Sequence, residues 1–442
     1  MNTNTQHPAS NAALSGARAF LLLSPLFLFL ASGMLAARPG FLAQRELTGH
    51  GVAWLTLLIL GCGLSGAFGL VYGALLSGFG TRRPPALTIW LHLLLHVAGI
   101  LLSLLGAVRP AWDRFGLGPI LLSAGGAVFL FNVGRGFFRP QAPDVSEAFL
   151  LASALWMVIL IFAGVPFAAS PPPGLLIGSM WGAGWLILAL GGVLFNLPLG
   201  LALRTLPLLS HTKKRSSILM WSTLVLLNIG VAWSAAAATY RLPGFLTGCA
   251  LIALLGALCA LGAFVSVLPG RDQGRLSWSA RMLAASTAAA PLSFALLAYS
   301  AWHRLALAAA AAPETTTEPA VETAITLPLS FLPSDAAATL VGLFAVGIPA
   351  ILAVALQLIR IQRSEKDPLS PLRERFLLAA YFNYATGVLL IIPSAWAGIE
   401  QPIALGSLFL VVSSLAFLGI FVTRKSKTLE SRLRDGLVDS GG

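Results

Sequence analysis

Long apolar runs alternate with short polar or Gly/Pro-rich breaks along the chain. Twelve of these runs are long enough to cross a bilayer, which takes about 20 apolar residues. Their limits fall near 18–37, 49–78, 86–107, 117–136, 148–169, 174–203, 216–239, 244–268, 281–310, 335–360, 376–398 and 402–423. The runs are too long for barrel strands. In lipid, backbone polar groups must be satisfied within the segment, so each run is predicted to be a helix. The predicted fold class is therefore all-α, a polytopic integral membrane protein of about twelve transmembrane helices. Residues 1–17 read as a polar tail, 18–423 as the twelve-helix domain and 424–442 as a basic tail. The first run also carries the basic flank and small residues of a cleaved signal peptide, an alternative that leaves eleven spans.

Composition removes the soluble alternatives. Of 442 residues, 57% are hydrophobic and 10% charged, with a mean hydropathy of +0.85. A soluble domain carries about 25% charged residues. The net charge of +12 would suggest nucleic acid in a soluble protein, but here the basic residues sit in short loops and no nucleic-acid partner is expected. With the N-terminus inside, 22 of the 28 Lys and Arg fall in inside segments. The outside loops keep six: Arg38, Arg45, Arg109, Arg114, Arg241 and Arg304. This asymmetry predicts both termini in the cytoplasm of a cell with a bacterial-type inner membrane, the bilayer being the main partner. The one long loop, about 311–334, lies outside and carries Glu314, Glu318 and Glu322 without a basic residue. It reads as a solvated connector, or as a docking surface for a basic partner. Cys62, Cys249 and Cys259 lie in apolar runs without metal-binding spacing.

Ionisable groups within a membrane are costly and mark function. All sixteen Asp and Glu fall in loops, tails or span ends, with Glu147, Asp335 and Glu400 nearest to the apolar runs. No buried carboxylate relay for protons is expected. Among the histidines, His7 and His211 belong to polar segments and His303 to the outer end of span 9. His92 and His96 share one face of span 3 at i, i+4. That spacing serves either a metal or two imidazoles hydrogen-bonded to neighbouring helices. His50 opens span 2 at its outer end. It is either a structural interfacial imidazole or an axial heme ligand. Gly66-Ala67-Phe68-Gly69 follows, small enough to admit a flat cofactor or another helix.

These residues, in this order, resemble subunit I of the heme-copper oxidases. That family opens its second helix with Thr-x-His-Gly, continues through Gly-Gly-Phe-Gly and reaches a Pro-Arg-Leu linker and a Phe-Trp pair. This chain has His50-Gly51, Gly66-Ala67-Phe68-Gly69, Arg83-Pro84-Pro85-Ala86-Leu87 and Ile89-Trp90. Span 4 has Leu122-Ser123-Ala124-Gly125-Gly126, Asn132 and Phe138-Arg139-Pro140, similar to the family's Gly-Ala-x-Asn-Phe and Met-Arg-Ala-Pro. Span 5 ends in Gly164-Val165-Pro166, like the family's Leu-Pro-Val-Leu. The best coverage is about 48–170. The resemblance implies a subunit I-like bundle with His50 as a ligand of a b-type or a-type heme.

The departures concern the metal ligands. Where the resemblance asks for copper-binding histidines in helices 6 and 7, this chain has Trp185, Ala235 and Ala236. Where it asks for His-x-His in helix 10, the comparable segment contains Gly342 and Phe344. Ala and Gly hold no metal, a Trp indole only donates, and the indole of Trp185 would also fill space in the copper site. His96 lies roughly 16 Å below the outer end of span 3, too deep to share one iron with His50. The expectation is thus a subunit without the oxygen-reducing centre and with no cofactor: a non-catalytic scaffold, assembly or interaction component of a respiratory or electron-transfer complex. Its expected partners are other membrane subunits or a cytochrome. The rival readings are a heme-binding redox protein using His50 and a twelve-span small-molecule transporter. The latter class shows two similar halves, and spans 1–6 and 7–12 show no convincing repeat.

Overall fold

The computed structural model describes residues 8–43, 49–76, 82–108, 112–137, 144–163, 180–210, 217–240, 242–267, 278–311, 338–362 and 371–422. The acidic loop, the basic C-terminal tail, His7, His211, Arg139 and Gly164-Val165-Pro166 lie outside them. Among the described residues there is no strand, and twelve helices are long and apolar enough to cross a membrane. The protein is an all-α polytopic membrane protein. Spans 1 to 4 are Ala12–Ala37, Gly49–Ala74, Ala86–Val108 and Gly116–Gly136. Spans 5 to 8 are Val145–Phe162, Gly184–Leu203, Ile218–Thr239 and Pro243–Ser266. Spans 9 to 12 are Ser279–Leu307, Ala338–Leu358, Arg375–Ala397 and Glu400–Val422.

The helix of span 1 begins at Pro8, well before the apolar run. Ala13 and Ala17 continue the buried stripe of Phe20, Ser24, Phe27, Ala31 and Leu35 at i, i+3 and i+4 steps. Packing therefore extends this helix into a stretch that its polar composition leaves unmarked.

Three spans lie inside and nine outside. Spans 2, 6 and 10 are 94%, 83% and 89% buried, whereas no other span exceeds 56%. The outer nine touch in the closed order 1, 3, 4, 5, 7, 8, 9, 11, 12 and back to 1. The arrangement repeats every four spans, since the second member of each of spans 1–4, 5–8 and 9–12 is the inner one. The helices of the third and fourth members of each set end and resume within a few residues, at Val108 and Trp112, at Thr239 and Pro243, and at Ala397 and Glu400. At the last of these, Gly398 takes φ +73° and the Ile399 N–H donates to the Ser394 carbonyl at 2.9 Å. That is a left-handed C-cap, which turns span 11 into span 12 within two residues.

Each inner span contains a π-helical segment: Thr56–Leu64, Leu188–Phe195 and Val341–Gly347. Two of them have a local cause. Pro198 and Pro349 have no N–H for the carbonyls four residues earlier, Leu194 and Ala345, both in π segments. Those carbonyls can bond one residue further on, which is the π register. Span 2 has no proline here and is rich in glycine instead: Gly61, Gly63 and Gly66. The three π segments touch one another. Leu194 of span 6 is wedged between glycines of the other two, because a β-carbon on Gly63 or Gly347 would lie 2.8 Å from it.

Candidate functional site

The densest polar cluster in the membrane interior joins spans 2, 3 and 4. His92 and His96 project from span 3 and are each 1% exposed. The Tyr72 hydroxyl of span 2 and His92 Nδ1 are 2.9 Å apart. Asn132 of span 4 donates its amide N–H to the same hydroxyl at 3.1 Å, so one oxygen joins the amide and the imidazole. Thr88 donates to Asn132 Oδ1 at 2.7 Å, continuing the chain back to the start of span 3. His96 Nε2 and the Ser65 hydroxyl of span 2 lie 2.9 Å apart.

Aromatic rings enclose both imidazoles. Phe68 packs edge-on, with ring centroids 4.3 Å from His92 and 5.2 Å from His96. Phe20 of span 1 lies 4.9 Å from His92, and Phe129 of span 4 lies 5.6 Å from it. The two imidazole centroids are 6.0 Å apart. Among the described residues no group of three or more His, Cys, Asp and Glu side chains is placed to hold a metal ion. What this arrangement does chemically is latch three helices together. Each polar side chain finds its partner on another span, as burial in lipid requires.

His50 lies elsewhere. It is half-buried at the N-terminal end of span 2, where Arg38 Nη1 donates to its Nε2 at 2.8 Å. The nitrogen that points away from the backbone is thereby engaged by a guanidinium. The small residues that follow admit other helices. Gly69 lies against Leu21 of span 1, where a β-carbon would come within 2.7 Å, and Gly66 lies against Ile351 of span 10. Nearer the N-terminal end of span 2, its Trp54 and Phe344 of span 10 stand with ring centroids 6.1 Å apart. Both are buried. The boundary between spans 2 and 10 is thus filled with side chains. It does not fit a heme between them.

The other positions marked by the resemblance are not gathered into one site. Trp185 is half-buried, and its Nε1–H donates to the Leu160 carbonyl of span 5 at 3.0 Å. The indole turns toward the outer ring, contrary to the expectation that it fills a central metal site. Ala235 is buried in span 7, and its carbonyl accepts from the Thr239 hydroxyl at 2.8 Å. Ala236 is half-buried. Gly342 faces Leu190 of span 6, which a β-carbon would approach to 3.0 Å. The Phe344 carbonyl accepts from the Tyr384 hydroxyl at 2.7 Å. His303, also half-buried, stacks on Tyr299 near the C-terminal end of span 9.

A second polar junction has no counterpart in the motif reading. Asn196 of span 6 donates to Asn228 Oδ1 of span 7 at 2.9 Å, and Trp156 of span 5 donates to the same oxygen. Asn228 in turn donates to the Leu224 carbonyl at 2.6 Å. The available signal was an Asn in each of two apolar runs, since an amide in lipid needs a partner. Glu147, in the first turn of the span 5 helix, is a buried carboxylate, whereas Asp144 and Glu400 are exposed. No protein-family model matches the sequence, and no curated protein matches it.

Proposed function

We propose that this chain is a non-catalytic membrane subunit, a scaffold or assembly component of a respiratory or electron-transfer complex. Its place would be a bacterial-type inner membrane, with both termini in the cytoplasm. The reading rests on the resemblance to heme-copper oxidase subunit I, and one observation carries it. The resemblance draws its ligands from helices 2, 6, 7 and 10, and three of these four, 2, 6 and 10, are the inner spans here, while span 7 belongs to the outer nine. In this chain the inner spans meet through Leu194, Gly63, Gly347, Trp54, Phe344 and Ile351 rather than through histidines. The inner positions are kept while their chemistry is replaced by packing. Copper needs several N or S ligands, and apolar side chains supply none.

The heme-binding alternative at His50 gains nothing from the Arg38 contact or from the filled boundary between spans 2 and 10. The transporter alternative implies two similar halves, whereas this bundle repeats in sets of four. Purification in mild detergent should recover the chain with other membrane subunits at fixed stoichiometry. Metal analysis should find no stoichiometric copper, and an oxygen electrode with a reduced donor should record no turnover. A monodisperse chain that consumes oxygen by itself would overturn the proposal.

A further inference from the structure

A groove on the lipid-facing side of spans 4 and 5 has a volume of about 820 Å³. Its walls are apolar: Leu130, Phe131 and Phe162 line it and are each exposed beyond 40%. Its floor is Gly134, where a β-carbon would meet no atom within 4 Å. One end carries two arginines, Arg82 from the approach to span 3 and Arg135 from the last turn of span 4. Span 4 holds the segment of Arg82 in place, since Gly136 leaves room for the Arg82 carbonyl 3.6 Å from where its β-carbon would be. From Arg135 to Ala127 at the opposite end, the groove follows span 4 for about 12 Å at 1.5 Å per residue.

Among the described residues neither Arg82 nor Arg135 has a carboxylate partner. The acids nearest to Arg135 in sequence are Asp144 and Glu147, which close the start of span 5 as a reciprocal cap. The Glu147 N–H donates to Asp144 Oδ1 at 2.8 Å, and the Asp144 N–H donates to Glu147 Oε2 at 3.3 Å. Two guanidiniums at the membrane surface attract an anion and present the planar donor forks that suit a phosphate. A small soluble anion would leave the apolar walls unused, and a neutral lipid would leave the arginines unused. An anionic lipid uses both, and the bilayer supplies it at this depth.

We propose that this groove binds one anionic glycerophospholipid, its phosphate between Arg82 and Arg135 and an acyl chain along Leu130, Phe131 and Phe162. The test uses the full chain in phosphatidylcholine nanodiscs titrated with phosphatidylglycerol, with bound lipid read by native mass spectrometry after detergent exchange. Wild-type protein should retain phosphatidylglycerol selectively. R82Q/R135Q should lose roughly tenfold or more in retention, from two lost charge-assisted contacts. Gly134→Leu fills the floor where space is open, so it should fold normally and lose retention with both arginines intact. Inorganic phosphate should not displace the lipid. Equal retention by wild type and Gly134→Leu, displacement by inorganic phosphate, or equal retention of phosphatidylcholine would each overturn the assignment. So would a protein subunit found seated on this face in place of lipid.

Discussion

Tyr72 accepts a hydrogen bond from Asn132 and shares another with His92, so a single hydroxyl ties spans 2, 3 and 4. Tyr72→Phe should destabilise the bundle by about 1 kcal/mol, the scale of interhelical hydrogen bonds in lipid. Asn132→Ala should do the same, and the double variant should cost less than the sum because both changes remove one junction. Reversible unfolding in mixed micelles measures this, and strict additivity would contradict the shared junction. Leu194 acts by volume. Leu194→Ala at the meeting point of the inner spans should cost about 2–5 kcal/mol. Leu389→Ala, at a side chain 72% exposed on the outer surface, should stay within about 0.5 kcal/mol. The shared face of His92 and His96 was readable from their spacing. Their partners were not, because Tyr72 and Ser65 lie on another helix and no local pattern sets the register between helices. The interfacial place of His50 was readable, but its bond to Arg38 was not.

At the scale of elements, the twelve spans were legible because lipid imposes the same condition on each: about 20 apolar residues with every backbone group bonded internally. Which spans lie inside was not legible. Inner spans 2, 6 and 10 have mean hydropathies of 1.9, 2.2 and 2.4, and the outer spans cover 1.5 to 2.4. A lipid-facing helix and a protein-facing helix are equally apolar, so hydropathy cannot sort them. What marks the inner spans is the π-helical segment in each, which proline alone does not announce, since Pro25, Pro119, Pro291 and Pro393 lie in outer spans. Close approach between the inner spans can be tested by substitution. Gly63→Val and Gly347→Val should each destabilise by about 1–3 kcal/mol through overpacking against Leu194. Gly248→Val and Gly419→Val, where nothing lies within 4 Å of the added β-carbon, should lack that clash and cost far less in the same unfolding assay. Equal losses at all four sites would mean that helix propensity rather than contact decides.

Across the whole molecule, three sets of four spans place one helix each at the centre and nine around it. The apolar runs led to the fold class, whereas the packing between the central spans 2, 6 and 10 answers to side-chain volume. Orientation rests on the uneven distribution of Lys and Arg. A tag at the C-terminus should survive protease added to intact cells and be cut only after lysis; cleavage without lysis would reverse the topology. The claim that the centre is filled by side chains in place of cofactors has a more direct test in the visible absorption spectrum of the purified protein, oxidised and dithionite-reduced. The packing of spans 2, 6 and 10 predicts no Soret band in either state. A Soret band of stoichiometric intensity, lost on His50→Ala, would contradict it.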